Sequence, residues 1–129
     1  MGRWFESIRD HHLTMETKVT KIVYNACFGG FGLSQAAMRR YAEIKGLSVG
    51  EEHGYGYIVT AEGKRMSDDD IRRDDPVLVQ VVEELGERAN TRFSELRIVD
   101  LPAGTKYRID EYDGNESIET EEDIRWSVA

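Results

Sequence analysis

Apolar positions change their period several times along the chain, and each change marks an element. Residues 18–26 alternate and then run continuously apolar through Ile22, Val23 and Tyr24, the pattern of a strand covered on both faces. A glycine-rich turn comes next, Cys27-Phe28-Gly29-Gly30-Phe31-Gly32-Leu33, and Ser34 then stands where a helix N-cap belongs. Leu33, Ala37, Tyr41 and Ile44 fall at helical spacing, and Gly46 supplies the C-terminal stop. Residues 47–54 are polar and contain glycine, which predicts a loop. Residues 55–60 carry the aromatic and β-branched content of a strand and lead to a turn at Glu62-Gly63.

Residues 66–74 are almost wholly charged and predict an exposed connection without a core face. Asp75 then suits an N-cap and Pro76 the first helical position, ahead of a stripe formed by Leu78, Val81, Val82, Leu85 and Ala89. Gly86 lowers helix propensity without breaking the stripe, so the helix is predicted to run to about Ala89 with Asn90 as a left-handed cap. Residues 96–101, 107–112 and 117–120 predict three strands, the last two joined as a hairpin on Asp113-Gly114. The alternation predicts an α+β fold, a small mixed or antiparallel sheet with two main helices packed on it, and disfavours a doubly wound parallel sheet.

The chain has 129 residues, enough for one core, and residues 15–129 read as a single domain. Residues 1–14 show no helical or strand period continuous with the patterned region, and they read as a disordered or misassigned N-terminal extension. Trp4-Phe5-Glu6-Ser7 back-translates into a transfer-RNA T-arm and Asp10-His11-His12 into a CCA end, so the expectation is a reading frame opened upstream of a true start at Met15. The net charge of -8 argues against binding a phosphate backbone, and the acidic stretches favour a basic protein partner or simple solvation. The single cysteine excludes an intramolecular disulfide, and no apolar run has the length of a membrane span. A cytoplasmic protein with no membrane partner is expected, and a domain this small could pair with itself to complete a pocket.

The glycine turn is the strongest candidate for chemistry. A strand, three glycines and a helix N-terminus aim backbone N–H groups and a helix dipole at one point, a geometry that holds a phosphate or carboxylate. No Gly-Lys-Ser/Thr succeeds it, and glycines at 29, 30 and 32 do not match the dinucleotide fingerprint. The candidate ligand-binding residues are therefore Cys27, Phe28, Gly29, Gly30, Phe31, Gly32 and Ser34, with the phenylalanines able to stack on a base or to plug the core. Cys27 beside a helix N-terminus invites a nucleophile reading, but no base with an orienting carboxylate accompanies it, His53 lying in a loop. Asp110, Glu111, Asp113 and Glu116 surround the hairpin turn without matching a cation-binding loop. No catalytic residue, metal or cofactor is assigned, and the reading leans toward a binding protein over an enzyme.

The set Cys27-Phe28-Gly29-Gly30-Phe31-Gly32-Leu33-Ser34, Asp75-Pro76 with Leu78-Val79 and Val82-Glu83, Leu85-Gly86, Ala89-Asn90 and Glu111-Tyr112-Asp113-Gly114 with Glu116 resembles short accessory proteins of tailed phages and prophages. The resemblance spans about residues 18–120, with Arg92-Phe93 departing from its pattern. It implies a protein acting in the host cytoplasm by binding. Two targets are expected: a small phosphorylated or nucleotide-like molecule, such as a host defence signal captured at the glycine turn, or a basic host protein inhibited through the acidic surface. A small Cys27-dependent enzyme is the third alternative.

Overall fold

The computed structural model describes residues 18–129, and the predicted extension over residues 1–14 lies outside them. Strand β1 (Val19–Asn25) leads through the glycine turn to helix α1 (Gln35–Lys45). A meander comes after it, β2 (Ser48–Glu52), β3 (Tyr55–Val59) and the short β4 (Arg65–Met66). Helix α2 (Pro76–Leu85) passes into a 3-10 turn at Gly86–Ala89. The chain closes with β5 (Leu96–Pro102), β6 (Tyr107–Tyr112) and β7 (Asn115–Thr120). The fold is α+β, and every described strand pair is antiparallel. The strands form three small sheets, β1-β5, β2-β3-β4 and β6-β7. No described helix is long and apolar enough to cross a membrane.

Both helices begin and end as their terminal residues dictate. The Ser34 hydroxyl accepts the Ala37 N–H at 3.1 Å, and Gly46 takes the left-handed conformation at φ 74° that closes α1. Asp75 caps α2 by accepting the Val77 N–H at 2.8 Å, with Pro76 in the first turn. The same carboxylate accepts the Tyr41 hydroxyl at 2.7 Å and pairs with Lys45 at 3.3 Å, so the start of α2 is tied to the flank of α1. Burial alone would raise the Asp75 pKa, but the hydrogen bonds from Tyr41, Val77 and Lys45 outweigh it and hold the carboxyl below its ordinary value. Burial, reinforced by Asp75, pushes the Tyr41 phenol up.

The core lies where the two helices meet β1 and β3. Ala37, Met38 and Tyr41 of α1 and Leu78, Val81 and Val82 of α2 close on Val23, Ile58 and Ile71. Full burial of an Ile or Leu side chain is worth about 1.5–3 kcal/mol, so this apolar stripe supplies the main cohesive force.

Four local expectations are corrected. The predicted loop at residues 47–54 contains strand β2, an exposed edge with no core face and so no apolar period. It forms because His53-Gly54, at φ 54° and 83°, makes a tight reversal onto β3, and the Tyr57 ring lies across Gly50 where a side chain would otherwise stand. The charged connection at residues 66–74 is not featureless, since Ile71 within it is buried in the core. Helix α2 stops at Leu85 instead of Ala89, because Gly86 adopts φ 57° and ψ -127° and turns the chain out of the helix. Asn90 is extended at φ -78° and is no left-handed cap; its side chain instead accepts the Leu96 N–H at 2.8 Å and starts β5.

Replacing Asp75 by alanine is expected to cost about 1–3 kcal/mol in urea unfolding, from the lost cap and the lost tyrosine bond. Because the folded-state pKa of Asp75 lies below its ordinary value of 3.8, its contribution is complete well above that value and is lost as pH falls through it. The gap in stability between wild type and Asp75→Ala should therefore narrow on acidification, and a gap independent of pH between about 6 and about 3 would contradict this role.

Candidate functional site

The glycine turn rests on a buried polar cluster built from three distant segments. Asn25, fully buried at the end of β1, donates from Nδ2 to the carbonyls of Cys27 and Gly114, both at 2.7 Å. Its Oδ1 accepts the Glu95 N–H at 2.8 Å, so all of its amide capacity is directed at fixing the turn between two neighbouring segments. The Asn25 N–H donates to Glu116 Oε1 at 2.9 Å, and Glu116 receives Arg73 in a two-pronged pair at 2.5 and 2.9 Å. The Arg73 guanidinium lies 3.6 Å from the centre of the Phe31 ring, and the Arg73 carbonyl accepts the Val23 N–H at 2.9 Å. Phe31 is thus held from below by a charge that is itself paired.

Backbone contacts above this cluster explain two of the glycines. A Cβ on Gly29 would overlap the Phe93 carbonyl, the acceptor to which the Cys27 thiol donates at 3.2 Å. A Cβ on Gly114 would come within 2.6 Å of Gly30 N and Phe28 O. The Asp113-Gly114 turn, with both residues at positive φ, therefore serves as a backbone wedge as well as a hairpin reversal. Gly30 itself needs glycine for its φ of 100°.

The helix N-terminus beside the turn is already partly engaged. Leu33 N–H donates to the Asp68 carboxylate at 3.0 Å, and the Ser34 hydroxyl, besides capping Ala37, donates to the Arg88 carbonyl at 2.6 Å. Ser94 closes the other side by donating to the Gly32 carbonyl at 2.9 Å. An acidic side chain thus occupies one end of the place where the turn would meet an anion. The N–H groups of Gly29, Gly30, Phe31 and Gly32 donate to no acceptor among the described residues. Asp69, next in the same acidic run, has its pKa raised by burial and by the Asp68 charge.

A groove of about 640 Å³ opens along the turn. Gly29, Gly30, Phe31, Gly32 and Ser34 line it, joined by Tyr55 from the β2-β3 hairpin, Asp68, and Thr91, Arg92 and Phe93 from the segment before β5. Tyr55 and Phe93 are exposed. Five of the seven sequence candidates are therefore in one groove, while Cys27 and Phe28 do not line it. Phe28 points to solvent instead of plugging the core, whereas Phe31 packs against it. The Cys27 thiol is half-buried, and among the described residues it hydrogen-bonds the Phe93 carbonyl and, at 3.5 Å, Asn25 Oδ1, neither of which is a general base. His53 stands exposed in the β2-β3 turn, 3.7 Å from Glu52.

The acidic residues of the last hairpin separate. Glu116 turns inward to Arg73 and Glu111 receives the Gly114 N–H, while Asp110 lies on the opposite face of β6. Among the described residues no group of three or more His, Cys, Asp or Glu side chains is placed to hold a metal ion. Tyr55 carried an aromatic signal in the sequence and Glu116 stood out only as one of the acidic residues around the last hairpin turn, while Asn25, Arg73 and Asp68 carried no signal, because their partners lie dozens of residues away. No protein-family model, curated protein or solved structure matches the chain.

Substituting Glu116 by alanine leaves the Arg73 charge largely buried, its side chain only 16% exposed, and should cost about 3–5 kcal/mol in chemical denaturation. A loss below about 1 kcal/mol would mean that solvent screens the pair as it does at a surface.

Proposed function

We propose that the protein is a binding protein that takes a nucleotide-like molecule into the groove beside the glycine turn. The observation that carries this is the coincidence, in the lining of one groove of about 640 Å³, of Gly29, Gly30, Phe31 and Gly32, whose N–H groups donate to no acceptor among the described residues, two exposed aromatic residues and the Asp68 carboxylate. The volume falls in the range of about 300–1,000 Å³ typical of small-molecule sites. Each part answers one part of a nucleotide. Tyr55 or Phe93 offers a face on which a planar base stacks, and the N–H groups of residues 29–32 suit phosphate or sugar oxygens. The Asp68 carboxylate suits the amino or imino edge of a base and repels a phosphate. It therefore orients the ligand, base toward Leu33 and phosphate toward Gly29 and Gly30. The resemblance to phage accessory proteins supports capture of a host signal of this chemistry, in the host cytoplasm, over its turnover.

A thermal-shift screen of linear and cyclic nucleotides tests the reading. A ligand at a hundred times its dissociation constant adds about 2.7 kcal/mol, an upward shift on the order of 10 °C for a domain of this size. Inorganic phosphate alone should give much less, since it lacks a base. Tyr55→Ala, which removes an exposed ring, should weaken binding by about five- to hundredfold without lowering the melting temperature of the free protein. Absence of a shift with every nucleotide at millimolar concentration would overturn the proposal.

A further inference from the structure

Three segments that meet at the glycine turn each place a large aromatic side chain in solvent. Phe28 of the turn is 61% exposed, Phe93 64% and Tyr112 at the tip of the β6-β7 hairpin 77%. Their backbones are in contact, Phe93 through its carbonyl over Gly29, and the hairpin through Gly114 against Phe28 and Gly30. Asn25 shows on which sides they lie, since its Nδ2 bonds the hairpin at Gly114 and its Oδ1 accepts from the N–H of Glu95, two residues along from Phe93. The turn is thus flanked by two aromatic lobes and carries a third ring between them. Clustered aromatics on a rigid backbone are the composition of an interface centre, and they differ from scattered apolar residues that a surface tolerates.

The charges of the two lobes are opposite. Arg92 stands beside Phe93 with no ion-pair partner among the described residues, its guanidinium 5.7 Å from the Phe93 ring. Asp110 shares the outer face of β6 with Tyr112, and neither it nor Asp113 has an ion-pair partner among the described residues. A surface with a cationic aromatic lobe on one flank and an anionic aromatic lobe on the other is complementary to itself under a two-fold rotation. That is the requirement of an isologous dimer, in which each patch meets its own copy reversed. A net charge of -8 disfavours approach of a second copy at long range, so the contact needs local opposite charges, which Arg92 and Asp110 supply.

We infer that the occupant of this surface is a second copy of the chain, with Phe28 near the two-fold axis and the Arg92-Phe93 lobe of each copy against the Asp110-Tyr112 lobe of the other. The inference stands on the exposed rings and their charges and does not depend on the ligand proposed for the groove. It does place the second copy at the groove mouth, which Arg92 and Phe93 also line.

Sedimentation equilibrium of the full chain should show a dimer. Arg92→Asp and Asp110→Arg each set like charges against one another at both symmetric contacts and should weaken dimerisation by about tenfold or more. Mixing the two variants in equal amounts restores opposite charges at both contacts, so the mixture should recover wild-type association as a heterodimer. Circular dichroism of each variant checks that these exposed substitutions leave the fold intact. A wild-type chain that stays monomeric at hundreds of micromolar, a dimer indifferent to both substitutions, or a mixture no tighter than its components would each overturn the proposal.

Discussion

The Glu116 carboxylate is the point on which the arrangement around the glycine turn depends. It lies at the start of β7, yet it accepts the backbone N–H of Asn25 in β1 and holds Arg73 from the segment before α2. Two charges and an amide are withdrawn from water there. Such a cluster adds little net stability compared with apolar packing, but once formed it tolerates few alternatives, because each unpaired member would remain buried. Its effect is directional. Arg73 fixes Phe31, and Asn25 fixes the carbonyls of Cys27 and Gly114.

The electrostatic pattern above that cluster narrows what the groove accepts. A bare glycine turn at a helix N-terminus is a general anion site, but here Asp68 takes the Leu33 N–H and supplies negative charge from within. In the proposed function this gives the groove an acceptor beside Leu33 and leaves the turn N–H groups as donors further along. On that proposal a ligand carrying only negative charge is disfavoured by Asp68, whereas one that joins a donor-bearing ring to an acceptor-bearing tail suits both parts.

How much of this was legible in the sequence depends on whether each signal is local. The caps at Ser34 and Asp75, the stop at Gly46 and the Asp113-Gly114 reversal each rest on one or two residues whose backbone preference is intrinsic, and they stand where expected. The α+β class comes from the periods of the longer elements. Strand β2 was not legible, because an exposed edge of Ser48, Val49, Gly50, Glu51 and Glu52 has no buried face to imprint a period. The end of α2 was misplaced because the apolar stripe continues to Ala89 through a 3-10 turn that keeps the same face buried. The turn itself stood out as a candidate from its glycines, but its supports did not. Arg73 and Asp68 sit in a charged run that looks like solvated surface, and only the folded chain gives them partners.

The separation of those partners along the chain has a consequence for how the protein is made. Ile22 pairs with Val99 across the β1-β5 ladder, and Asn25 bonds a side chain 91 residues later. Helices close their own contacts early, but these long loops must be closed before β1 is secured, which makes folding slower than the helix content suggests. During synthesis the glycine turn therefore emerges long before the residues that shape it. Until β5 leaves the ribosome, the first strand presents an unpaired apolar edge to the cell, and a shortened product ending before Glu116 would keep both helices' sequence while lacking the acceptor that sets the turn.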